Sequence, residues 1–136
     1  MKIQVSTDKT IAQIQEAFSE MYPYLKLVFF TRPHEAYKGS PVKFMIDDTQ
    51  VTLGSLEKKP RSHDLYIEPE MPTWQLERLF EEEFGLHVQV FRKSGNTWLE
   101  TSTSDDLTLE DQNFKGKESQ RHHFEQVDPL DYREQD

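Results

Sequence analysis

Thr73-Trp74-Gln75-Leu76-Glu77-Arg78-Leu79-Phe80-Glu81-Glu82-Glu83-Phe84-Gly85-Leu86-His87-Val88-Gln89-Val90-Phe91 carries two periodicities in succession, and the switch between them sets the fold class. Leu76, Leu79, Phe80 and Phe84 recur at three- and four-residue spacing, which keeps one face of a helix apolar. Pro72 suits the first turn of that helix and Gly85 its stop. From His87 to Arg92 the pattern becomes strict alternation, the period of a half-buried strand. Ser94-Gly95-Asn96 is a tight-turn signal, and Thr97-Trp98-Leu99-Glu100-Thr101 is rich in β-formers and returns as the hairpin partner. Upstream, Leu65-Tyr66-Ile67 alternates as a short strand. The unit reads strand, helix, strand, strand.

The first half of the chain reads in the same order. Ile3-Gln4-Val5 is a short alternating strand, and Ile11, Ile14, Phe18 and Tyr22 mark one helix face. Thr10 with Gln13 forms a capping box at its start. Leu25 to Thr31 is the next strand, with Val42 to Ile46 as its partner across a longer loop, Arg32 to Pro41. An offset of 62 lays Gln13 on Gln75, Ile14 on Leu76, Phe18 on Phe80 and Tyr22 on Phe84. Further on, Val51-Thr52-Leu53 matches Leu107-Thr108-Leu109. These matches point to an internal repeat.

The expected architecture is therefore α+β: a tandem duplicated strand-helix-strand-strand unit forming one mostly antiparallel sheet with two helices on one face. Residues 1–114 form a single domain, with repeat one at 1–56 and repeat two at 63–114. The polar stretch at 115–136 is expected to be a mobile tail. A short helix from Thr108, capped with the help of Asp111, competes with that reading.

The chain has 136 residues, a formal net charge of −9 and no cysteine. Without cysteine there are no disulfides, no thiolate nucleophile and no iron–sulfur cluster. The first residues after Met1 lack the apolar run of a signal peptide, and no apolar run approaches the roughly 20 residues of a membrane helix. The expectation is a soluble, cytoplasmic protein without membrane contact. The acidic balance weighs against nucleic acid, which calls for a basic footprint.

Catalytic patterns are scarce. The five glycines form no phosphate loop, and no His-Glu-x-x-His spacing occurs. His122, His123, Glu125 and Asp128 could ligate a metal, but they sit in the expected tail, where nothing fixes their geometry. His34-Glu35 reads as a solvated pair, Asp47-Asp48 and Asp105-Asp106 as turn residues, and Glu81-Glu82-Glu83 as a solvated helix face. No catalytic residue, metal ligand or cofactor is assigned.

What stands out is basic and aromatic residues near the hairpins of an acidic chain. Arg32 and Lys43 flank the first, and Arg92, Lys93 and Trp98 the second; arginine and tryptophan are enriched in binding hot spots. These five are the candidate binding residues.

The stretch Phe91-Arg92-Lys93-Ser94-Gly95-Asn96-Thr97-Trp98-Leu99-Glu100-Thr101, followed by Asp106-Leu107-Thr108-Leu109-Glu110-Asp111-Gln112-Asn113, resembles small uncharacterised bacterial cytosolic proteins. The resemblance covers the second half of the chain only. It implies a bacterial cytosolic setting and brings no activity, cofactor or catalytic residue.

The reading that fits is a non-catalytic interaction or ligand-binding module, taking a protein partner or an acidic small ligand. The alternatives are a small acid/base enzyme with its site between the two repeats, or a single-stranded nucleic-acid binder stacking bases on sheet aromatics. A homodimer through an open sheet edge such as Leu25 to Phe30 is a further option.

Overall fold

A computed structural model describes residues 1–32, 42–56 and 63–126. In chain order its elements are β1 (Lys2–Val5), α1 (Ile11–Met21), β2 (Leu25–Phe30), β3 (His63–Tyr66), α2 (Thr73–Phe84), β4 (His87–Ser94), β5 (Thr97–Glu100) and α3 (Leu109–Gln126), with short 3₁₀ turns at Val42–Phe44, Leu53–Ser55 and Ser102–Ser104. The class is α+β, as the periodicities require.

The local signals act as their chemistry dictates. Thr10 accepts a hydrogen bond from the Gln13 amide, and the Gln13 side chain accepts one from the Thr10 amide, so the capping box satisfies two otherwise orphaned donors. Gly85 ends α2 in the left-handed conformation, φ 67°, which a side chain would disfavour. Gly95, φ 60°, does the same service in the β4–β5 turn.

The strands divide into two antiparallel sheets rather than the single one expected. One pairs β1 with β3; the other has the order β2-β4-β5. Leu25, Leu27 and Phe29 on β2 stand opposite Arg92, Val90 and Val88 on β4. Opposed residues share a sheet face, so this face supplies the core. Phe18, Phe29, Phe80 and Phe84 are fully buried there with Ile14 and Leu76, and Phe29 meets Phe80 edge-on at 6.0 Å. Ile3, Val5 and Leu65 of the two-stranded ribbon join the same cluster.

The entrances of α1 and α2 are tied down in matching ways. Ile11 N donates to Val51 O and Thr73 N to Leu107 O; Leu53 N donates to Lys9 O and Leu109 N to Met71 O; Gly54 N donates to Thr7 O and Glu110 N to Pro69 O. Thr10 bridges Thr52, and Pro72 bridges Thr108.

Other expectations change as well. Val42 to Ile46 is not a strand: Met45 N donates to Val42 O in a 3₁₀ turn, and contact with β2 narrows to the Phe30↔Met45 bridge with its flanking bonds. The local bond displaces the ladder despite the alternating pattern. Among the described residues there are also three helices, not two. The third, α3, occupies residues expected to begin the tail, running through Lys115 to Gln126. Its start beside Thr108 and Asp111 is the competing helix read from the sequence; its length to Gln126 went unread, because its attachment is polar. Thr108 Oγ1 accepts from Asp111 N at its start, Asn113 accepts from Tyr24 N, and Ser119 donates to Lys93 O. Residues 127–136 lie outside the described set, as do His34 and Glu35, Asp128, and the side chains of His122, His123 and Glu125.

Candidate functional site

The β4–β5 hairpin fixes the geometry of the strongest candidate. The Gly95-Asn96 turn sets Lys93 opposite Trp98, and the Thr97 hydroxyl donates to Ser94 O to close it. On the same face, Lys26 of β2 stands opposite Phe91 of β4, which stands opposite Glu100 of β5. Lys93 Nζ lies 4.9 Å from the Trp98 ring centre and Lys26 Nζ 5.7 Å from it. Two ammonium groups thus share one indole whose side chain stays 36% exposed. Each such contact is worth about 0.5–1 kcal/mol at an exposed site, enough to orient the lysines but not to neutralise them.

A groove of about 330 Å³ opens beside this platform, lined by Ala12, Gln15, Glu16 and Ser19 of α1 with Lys26 and Trp98. The groove wall is anchored to the outer edge of β2. Gln15 Nε2 donates to Leu27 O at 2.8 Å and the Ser19 hydroxyl to Leu25 O at 3.3 Å. Glu16 brings one negative charge to the rim. Among the described residues the site brings together an aromatic face, the cations Lys26 and Lys93, and the carboxylates of Glu16 at the rim and Glu100 on the same sheet face.

The five residues singled out from the sequence go to three places. Lys93 and Trp98 build the platform. Arg32 and Lys43 build another, with the Arg32 guanidinium 4.6 Å and Lys43 Nζ 5.1 Å from the Phe44 ring centre. Lys26 and Arg32 are six residues apart along β2, about 20 Å of extended chain, so the two platforms occupy opposite ends of that strand. Arg92 belongs to neither. It projects from the core-side face, where its Nη1 donates to Gln112 Oε1 of α3 at 2.8 Å. Sequence reading missed Lys26. Its signal was a single cation interrupting the apolar run from Leu25 to Phe30; only the strand register shows that it meets Trp98.

Two other concavities are chemically plainer. A cavity of about 200 Å³ lies between the halves, lined by Phe29, Phe30, Ile46, Leu56, Leu86 and His87 among others. Among the described residues of that lining His87 is the one titratable side chain, where acid/base catalysis calls for two convergent groups. A groove of about 370 Å³ on α2 runs past Trp74 and Leu79, but its Arg78 and Glu82 bond each other at 2.7 Å. Among the described residues no group of three acidic, histidine or cysteine side chains could hold a metal ion, and no helix is long and apolar enough to cross a membrane.

Comparison with protein-family models, with curated proteins and with solved structures finds no match to the chain.

Proposed function

We propose that this protein is a non-catalytic binding module of the cytoplasm that holds an acidic group of a protein partner or small ligand on the Lys26, Lys93 and Trp98 platform. The observation that carries the reading is the exposed indole flanked by two ammonium groups on a chain of net charge −9. Such a patch attracts anions locally while the surrounding negative field discourages bulk polyanions. The adjoining groove is large enough for one or two side chains of a partner.

The test uses the fluorescence of Trp98 in a Trp74→Phe background, so that one indole reports. A peptide of alternating glutamate and valine should change the emission saturably and more weakly as salt rises. Lys26→Glu with Lys93→Glu should abolish the change while circular dichroism stays native. No saturable change, or one equal in the double variant, overturns the reading. Saturation by oligothymidylate in place of the acidic peptide would replace it with single-stranded nucleic-acid binding.

A further inference from the structure

The outer side of β5 is an open sheet edge. Among the described residues no strand pairs with it, and Thr97, Trp98 and Leu99 are exposed. Its bonding pattern follows from one contact and the alternation of an antiparallel ladder. Thr101 N donates to Val90 O, so Leu99 bonds inward with Arg92, and the backbone groups of Trp98 and Glu100 point outward. Edges of this kind pair with other chains unless something blocks them. β5 carries no proline, and none of its four residues is basic.

We propose that a second copy of this chain covers that edge, antiparallel, about a two-fold axis through Leu99. In that register Trp98 faces Glu100 of the partner copy, and the two exchange N–H···O=C bonds, because both already point outward. The side chains are self-complementary on both faces. On one, the carboxylate of the partner's Glu100 arrives beside Trp98, whose ring already draws Lys93 and Lys26 within 4.9 and 5.7 Å. On the other, Leu99, 46% exposed, meets its own counterpart. A one-residue slip would place the two Leu99 side chains out of register and Glu100 away from the lysines, so the pattern selects one alignment. The two three-stranded sheets become one of six. A four-residue edge buries less than the roughly 1,200 Å² of a durable interface, so the dimer is weak and reversible. This goes beyond the proposed function and does not depend on it: each two-fold pair would unite two platforms on one continuous face.

Sedimentation velocity of the full chain at physiological salt, from micromolar to millimolar concentration, tests it. The weight-average sedimentation coefficient should climb from monomer to dimer. Leu99→Lys, at an exposed position that leaves the fold intact, should weaken association by about tenfold or more, as edge lysines do. Glu100→Lys and Lys93→Glu should each weaken it, and the double variant should regain it, because reversing both charges restores the cross-edge pairing. A chain that stays monomeric at millimolar concentration overturns the proposal. So does association undiminished by Leu99→Lys, or a double variant no better than the single ones.

Discussion

Glu77 reaches out of α2 into the sheet, where its carboxylate accepts the Val90 amide at 3.0 Å and the Gln89 side-chain amide at 3.1 Å. Both Glu77 and Gln89 are buried. Glu77 fastens helix to strand at a point where the ladder leaves a donor without a strand acceptor. Replacing it with leucine strands the Val90 N–H in the interior and should cost about 2–4 kcal/mol. Glu77→Gln keeps an acceptor and should cost less than half of that. Urea unfolding of the three proteins measures the difference.

Gly116 sits where α3 packs tightly on Tyr24, in the turn before β2. A Cβ there would fall 2.7 Å from Tyr24 Cβ and 3.0 Å from Tyr24 O, closer than real side chains approach. Gly116→Ala gains helix propensity but must push α3 outward, so it should destabilise by about 1–3 kcal/mol rather than stabilise. Amide exchange should rise at Tyr24 and Gly95, whose N–H groups donate across the same seam to Asn113 and Ser119.

Tyr22 is buried, and among the described residues its hydroxyl has no hydrogen-bond partner. Burial, with the charges of Glu70, Glu110 and Glu68, pushes its pKa up from 10.0 to about 12. The folded state therefore holds the proton more tightly than the unfolded chain. The resulting stability is complete below pH 10 and is lost as pH rises toward 12. Tyr22→Phe should flatten that fall and leave stability at pH 7 unchanged or slightly higher. Thermal melts across this window read both effects.

Arg92 and Trp98 are near neighbours in sequence on opposite faces of the sheet. Arg92→Gln should loosen α3, since the Gln112 bond goes with it, yet leave acidic-peptide binding at Trp98 within about twofold of the native value. Fluorescence titration beside hydrogen exchange of α3 separates the two consequences.

Much of this architecture was legible in the residues. Thr10 with Gln13, Gly85, and the Gly95-Asn96 turn are local devices whose chemistry acts over a few residues, so pattern alone located β1, α1, β2, α2 and the β4–β5 hairpin. What stayed hidden depends on contacts between distant residues. α3 announces no apolar stripe, because it is held by Gln112, Asn113 and Ser119 bonding to the sheet rather than by burial of large side chains. Val42, Phe44 and Ile46 alternate like a strand, yet a 3₁₀ turn claims Val42 and Phe44. For the candidate site, Lys93 and Trp98 could be read from the hairpin, whereas Lys26 enters only through the β2–β4 register, and the same register turns Arg92 away.

Both sheets draw their central pairings from opposite halves of the chain: Lys2 with Tyr66, and Leu25 with Arg92. During synthesis, β1 and β2 therefore emerge with no strand to pair with until β3 and β4 have followed. The first half must wait with Leu25, Leu27 and Phe29 uncovered, open to capture by chaperones or by other nascent chains. Long-range pairing of this kind slows folding and makes it concerted. The molecule completes itself late, and only once its second half has arrived.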